Sequence, residues 1–145
     1  ISHIQELTGW AVILTGVRQG REKDLLEYLE SHTSAMGSPE RSFDELARLL
    51  LNAQGFVGVD TFTSHLANAL QLPGLVLFGP SDERSWGPHP FNAFLKAFSS
   101  ESFFCRPCNL DGCGGGKRSE CLETLNPKAV AHQFARECGA ISHVS

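Results

Sequence analysis

Three short apolar runs constrain this chain more than any other feature: WAVILT (Trp10–Thr15), FVGV (Phe56–Val59) and LVLF (Leu75–Phe78). They do not alternate with polar residues, so each reads as a strand covered on both faces. The segments between them are helical in period. Arg21–Ser31 sets Leu25, Leu26 and Leu29 inward, with Glu22, Lys23, Glu27 and Glu30 outward. Ser42-Phe43-Asp44-Glu45 fits a capping box, and it opens a helix with Phe43, Leu46, Ala47 and Leu50 on one face and an end near Asn52. Thr61–Leu72 is the next helix, stopped by Pro73-Gly74. Short strands alternating with helices mean βαβ units, hence an α/β fold with a parallel sheet and right-handed crossovers.

The chain has 145 residues, the size of one domain. At this length folding buries about 68–70% of the unfolded surface, so a core forms without staples. The formal charge of −4 and the absence of a basic run argue against nucleic acid as a partner. Anionic ligands stay open, because a helix N-terminus binds them locally whatever the net charge. No apolar run approaches the length of a membrane span, and no signal peptide is visible. The chain opens Ile1-Ser2-His3 without an initiator methionine and reads as a fragment whose first residues end a helix.

Past Gly79-Pro80 the alternation stops. Residues 81–126 are rich in Pro, Gly, Ser, Phe and Cys and read as one long loop, of a kind that is usually functional or metal-stapled. Within it, Ser81 is placed to cap a short helix, with Arg84 available for phosphate, although a plain surface loop fits as well. Trp86, Phe91, Phe94, Phe98, Phe103 and Phe104 read as hydrophobic cover for the sheet. Asn126-Pro127 then starts a last helix whose buried stripe is Val130, Phe134 and Cys138. The four clustered cysteines, Cys105, Cys108, Cys113 and Cys121, begin with a CxxC pair and suit a closed, structural tetrahedral zinc. Free thiols and two disulfides fit the same spacing.

In open α/β sheets, ligands bind beyond the carboxyl ends of the strands. The stretch FVGVDTFTSHLANAL, Phe56–Leu70, is such an end. The backbone N–H groups of Thr61, Phe62 and Thr63 are orphan donors at the start of a helix and favour a phosphate. Thr61, Thr63 and Ser64 add hydroxyls. Asp60 suits a cap, a ribose hydroxyl or a cation, and His65 is placed to donate to a phosphate. Asp60 or Thr61 as a plain N-cap, with His65 a half-buried histidine, accounts for the same residues.

The longer run FVGVDTFTSHLANALQLPGLVLFGPSDERSWGP resembles the signature of the ADP-heptose:lipopolysaccharide heptosyltransferases, glycosyltransferase family 9. Gly58, Asp60, Thr61, His65, Leu66, Ala67, Ala69, Leu70, Pro73, Phe78, Gly79, Pro80 and Ser81 fit that pattern in register, and the likeness covers most of the chain. It implies a Rossmann-like three-layer parallel sheet, the C-terminal half of a GT-B type glycosyltransferase, here as a single incomplete nucleotide-sugar-binding domain over 1–145. It implies a donor site at Asp60, Thr61, Phe62, Thr63 and His65, with Glu22 reaching the nucleoside ribose. The partners implied are an ADP-heptose-like sugar nucleotide and, through an amino-terminal half with the catalytic base, a lipopolysaccharide core acceptor. The setting implied is cytoplasmic, at the inner face of the bacterial inner membrane, with no cofactor required and zinc only as a structural ion. By this resemblance the fragment lacks the opening strand of its half and a phosphate-binding lysine, so another segment or chain is expected to fill the gap, and the fragment alone is expected not to catalyse transfer. Phe62 stands where the family usually has glycine, which lets a phosphate approach the backbone closely. The rival readings are a sugar-nucleotide epimerase on the same fold and a non-catalytic nucleotide-binding or zinc-stapled interaction module.

Overall fold

The computed structural model describes residues 1–17, 19–38 and 42–141, the Arg21 side chain excepted. The elements run α1 (Ser2–Thr8), β1 (Ile13–Leu14), α2 (Gly20–His32), β2 (Met36–Gly37), α3 (Phe43–Leu51), β3 (Phe56–Val59), α4 (Phe62–Ala69) and β4 (Gly74–Phe78). They continue with α5 (Glu83–Trp86), β5 (Leu95–Ser99), a 3₁₀ turn at Cys113–Gly115, α6 (Glu120–Glu123) and α7 (Pro127–Glu137). All paired strands are parallel, as the βαβ alternation requires. One sheet has the order β3-β4-β5, and a separate pair joins β1 to β2.

Strand β4 is the centre of the larger sheet, and Gly74, Leu75, Val76 and Phe78 are buried in it. On one face Leu75 packs against Val130 and Phe134 of α7, with Ile4, Trp10, Leu77 and Phe98 around them. The Trp10 ring meets Phe134 edge-on at 6.2 Å between centroids, a favoured aromatic geometry. On the other face Val76 and Phe78 pack with Leu95 and Phe56. Beyond Phe56, Leu50 of α3 and Ala67 of α4 form a further cluster with Leu72. Burying each large apolar side chain contributes about 1.5–3 kcal/mol.

Local chemistry sets the joints. The capping box of α3 is present: Ser42 N–H donates to Glu45 Oε2 at 2.9 Å, and Glu45 N–H returns to Ser42 Oγ at 3.4 Å. Helix α4 ends at Ala69, short of the expected Leu72, because Gln71 turns left-handed at φ 58°. The Leu72 N–H then donates back to the Ala67 carbonyl at 3.0 Å, the six-to-one bond that closes many helices. Gly74 has φ +142°, and a Cβ there would lie 1.9 Å from the Phe56 carbonyl oxygen, so only glycine admits this strand pairing. Asn126 caps α7, its Oδ1 accepting from Lys128 N–H at 3.0 Å and Ala129 N–H at 3.3 Å.

Several expectations change. The run Trp10–Thr15 yields only the two-residue β1, and Leu25 on α2 points outward at 56% exposure while Leu26 is buried. The segment 81–126 is not one loop: it holds β5, which pairs with the whole length of β4. Its sequence, LKAFS, has no run of buried residues because β5 lies at the sheet edge. Buried Asn92 seats it, with Nδ2 donating to the Leu72 carbonyl at 3.0 Å and Oδ1 accepting from Phe94 N–H at 3.0 Å and Leu95 N–H at 3.2 Å. Of the aromatic residues of this segment, Phe98 packs in the cluster around Leu75, but most are not the sheet's cover. Trp86, Phe91, Phe94 and Phe104 are exposed, because α7 and α4 already occupy the two faces. Asp82, not Ser81, caps α5, accepting from Arg84 N–H at 3.0 Å.

Candidate functional site

Strand β3 delivers Asp60 to the edge of the sheet, and Thr61 takes the extended N-cap conformation that starts α4. The first turn commits some of its donors. Thr61 N–H donates to Ser64 Oγ at 3.2 Å, and Ser64 Oγ–H donates to the Thr61 carbonyl at 2.7 Å. The Thr61 hydroxyl leans back on the Val59 carbonyl at 3.4 Å. Among the described residues the N–H groups left as orphan donors are therefore those of Phe62 and Thr63, and Thr61 does not join them. They sit at the positive end of the helix dipole. His65 Nε2 lies 3.6 Å from Asp60 Oδ1, so one helical turn holds the ring beside the carboxylate.

The Phe62 ring is 60% exposed. It tilts onto Phe43 at the start of α3, with 5.9 Å between ring centroids. Glu22 stands apart. It lies in the first turn of α2, in the unit built on β1 and β2, and accepts the Val17 N–H at 2.8 Å. Among the described residues no hydrogen bond or ion pair joins it to the Asp60 turn.

A cavity of about 210 Å³ opens beside the turn. Its floor is Val59, Asp60, Leu77 and Gly79, the carboxyl ends of β3 and β4. Its opposite wall comes from Leu110, Asp111, Lys117 and Ser119. That wall is fastened to the sheet. Arg106 donates through Nε to the Gly79 carbonyl at 2.7 Å, through one terminal nitrogen to the Ser100 carbonyl at 2.8 Å, and through the other to Glu83 Oε2 at 2.8 Å. Asn109 N–H adds a bond to the Pro80 carbonyl at 2.9 Å. Leu122 packs so tightly that a Cβ on Gly79 would lie 2.5 Å from its Cγ. Within the wall, Lys117 N–H donates to the Asp111 carbonyl at 2.9 Å and Cys113 N–H to the Arg118 carbonyl at 2.7 Å, which closes a tight turn. Gly112 makes it possible: its φ is +84°, and a Cβ would strike the Lys117 and Arg118 backbone nitrogens. Arg118 and Glu123 pair at 2.8 Å on the outside, and that contact holds the Glu123 carboxyl below its ordinary range and raises the guanidinium.

The four clustered cysteines are free thiols in different surroundings: Cys105 and Cys113 exposed, Cys108 partly buried, Cys121 buried on α6. Among the described residues no group of three or more His, Cys, Asp or Glu side chains is gathered as a metal site. The zinc reading of Cys105, Cys108, Cys113 and Cys121 thus has no gathered ligand set among the described residues to support it, although Cys108 and Cys113 lie close enough to Cys121 to act on its thiol electrostatically. Burial pushes the Cys121 thiol up, and drives Cys138, on α7, up to about 12.

Sequence reasoning found the floor of this site and missed its wall. The available signal was the glycine density from Gly112 to Gly116 followed by Lys117, a mark of a tight turn. Nothing in that composition said that the turn would come back to β4.

Residues 1–117 match the model of "Glycosyltransferase family 9 (heptosyltransferase)". The chain is 30% identical over 142 residues to lipopolysaccharide heptosyltransferase 1 of Pseudomonas aeruginosa, an alignment covering 87% of this chain and 38% of the relative. It is 33% identical over 87 residues to lipopolysaccharide heptosyltransferase 3 of Escherichia coli, covering 55% of this chain and 25% of that one. In three dimensions it resembles the E. coli heptosyltransferase WaaC solved with ADP, at a TM-score of 0.54 and 26% identity over 66% of this chain and 31% of that chain. The chain therefore spans well under half the length of the relatives it matches.

Proposed function

The chain belongs to glycosyltransferase family 9, the heptosyltransferases, and from that premise we propose that it is the donor-binding half of an enzyme moving heptose from an ADP-heptose-like sugar nucleotide to a lipopolysaccharide core acceptor. The observation that carries this reading is the opening of α4 beside the cavity: two orphan N–H groups, of Phe62 and Thr63, at a helix start that also presents Asp60, Thr61 and His65. The neighbour of known structure was solved with ADP, which supports a nucleotide as the ligand.

In the proposed reaction an acceptor hydroxyl, deprotonated by a base outside this chain, attacks the anomeric carbon. The bond from that carbon to the diphosphate oxygen breaks, and ADP leaves with the electron pair. The Phe62 and Thr63 N–H groups and the helix dipole stabilise the charge growing on the leaving phosphate, which is electrostatic catalysis. The Thr63 hydroxyl adds a donor, and so does the Thr61 hydroxyl once it leaves the Val59 carbonyl. His65, held by Asp60, keeps the turn in shape and offers its ring to the phosphate. Glu22 takes the ribose, which requires the β1–β2 unit to face the same ligand. The positive potential of the helix end serves this step without a metal cofactor. Contact with the inner membrane face belongs to the same proposal; among the described residues no helix is long and apolar enough to cross a membrane.

The test is calorimetric titration of the protein, expressed with its full natural sequence, against ADP, ADP-heptose and UDP. Adenine-selective binding is expected, weakened about tenfold or more by Thr61→Ala and by Asp60→Ala, the loss typical of a hydrogen bond to a charged group. Phe62→Gly is expected to leave ADP affinity within about twofold, since the ring is drawn aside onto Phe43. Selectivity for UDP would move the reading to the epimerase. No nucleotide binding until Phe62 is replaced would move it to the interaction module.

A further inference from the structure

The cavity beyond Asp60 has its own chemistry. Two carboxylates, Asp60 and Asp111, face it from opposite sides, with Ser81, Ser119 and Lys117 between them. Carboxylates repel a phosphate but accept hydrogen bonds from hydroxyl groups. The helix start with orphan N–H groups lies beside the cavity, so an anion has its place next door. At about 210 Å³ the cavity takes one sugar-sized group, below the volume a drug-sized ligand needs. Its apolar floor, Val59 and Leu77 with Leu110 opposite, gives a ring a surface to lie against. The polar groups of the wall are uncommitted. Among the described residues the Asp111 carboxylate, the Ser119 hydroxyl and the Lys117 ammonium have no side-chain partner in the chain, and Ser119 does not cap α6 with its hydroxyl.

We propose that the turn from Leu110 to Ser119 is the sugar-recognising wall of the donor site, with Asp111 and Ser119 accepting hydroxyls of the transferred polyol. The inference rests on the donor-binding reading and adds to it a specificity-determining segment that the Asp60 turn does not contain. Arg106 is its positioning residue. It touches no ligand, but its three bonds to Gly79, Ser100 and Glu83 set the distance between wall and floor.

Binding of two ligands to the protein with its full natural sequence separates the readings. ADP reports the phosphate end, and ADP-heptose reports both ends. Asp111→Asn and Ser119→Ala are each expected to weaken ADP-heptose about tenfold, the worth of a charge-assisted or buried hydrogen bond, while ADP affinity stays the same. The Asp111 side chain is exposed and only its backbone closes the turn, so Asp111→Asn leaves the fold intact. Arg106→Lys is expected to shift ADP-heptose affinity in the same direction without moving ADP. Unchanged ADP-heptose binding in Asp111→Asn and Ser119→Ala overturns the proposal, and so does an equal loss for both ligands. Failure of the unaltered protein to bind ADP overturns the donor-binding reading itself, and this inference falls with it.

Discussion

The two parallel strand groups differ in how far each completes itself. The β3-β4-β5 sheet has a central strand of five residues, a buried face on each side and helices over both. The β1–β2 pair has two residues per strand, and Ile13 and Met36 on it are 44% and 55% exposed. Apolar side chains on parallel strands are normally covered on both faces. Val57 and Val59 on the outer strand β3 are likewise exposed, at 36% and 44%. The larger sheet is a finished object along β4. The pair, and the free edge of β3, carry the pattern of a sheet without all of its neighbours.

Substitutions sharpen that contrast. Gly74→Ala is expected to be the most damaging, costing about 4 kcal/mol or more, because the new methyl meets the Phe56 carbonyl and the φ of +142° does not suit alanine. A urea titration followed by Trp fluorescence checks it; a change below about 1 kcal/mol would mean that β3 and β4 pair more loosely than the register states. Asn92→Ala removes the acceptor for two N–H groups and the donor to the Leu72 carbonyl. A loss of about 2–3 kcal/mol is expected in the same titration, since those buried partners are left unpaired. Ile13→Ala is expected to cost about 0.5 kcal/mol or less if β1 is as open in solution as its exposure states. A loss of about 2 kcal/mol or more would show that Ile13 is covered in solution, and the contrast between the two strand groups would then fail.

The legible parts were those whose signals are local. The Ser42 box, the Asn126-Pro127 start and the FVGV strand with the turn after it depend on residues a few positions apart, and they fold as read. The shape of the turn after β3 was legible for the same reason, though not in detail. That Ser64 takes up the Thr61 N–H follows from a side-chain rotamer, which spacing does not specify. Strand β5 was illegible because an edge strand needs no apolar run, and its place is set by Asn92 and by pairing to β4. The cavity wall was illegible for a further reason. Arg106 reaches Gly79 across 27 positions, and a cation in a loop gives no sign in the sequence of which carbonyls it will find. For the thiols, spacing reports what a metal would accept, while burial of Cys121 and exposure of Cys105 and Cys113 are set by the fold.

Helix α7 has a consequence for how the molecule is made. It is the cover of Leu75, yet it leaves the ribosome well after β4 does. At about 5–20 residues per second, the nascent sheet spends several seconds with that face bare. In that interval Phe98 joins Leu77 of β4 itself, and the described apolar partners already synthesised upstream are Ile4 and Trp10. Those two residues act, on this timing, as a provisional shield, and Phe134 closes over Trp10 when it arrives. Substitutions at Trp10 would then show first as a lower yield of soluble protein, before any change in the finished fold.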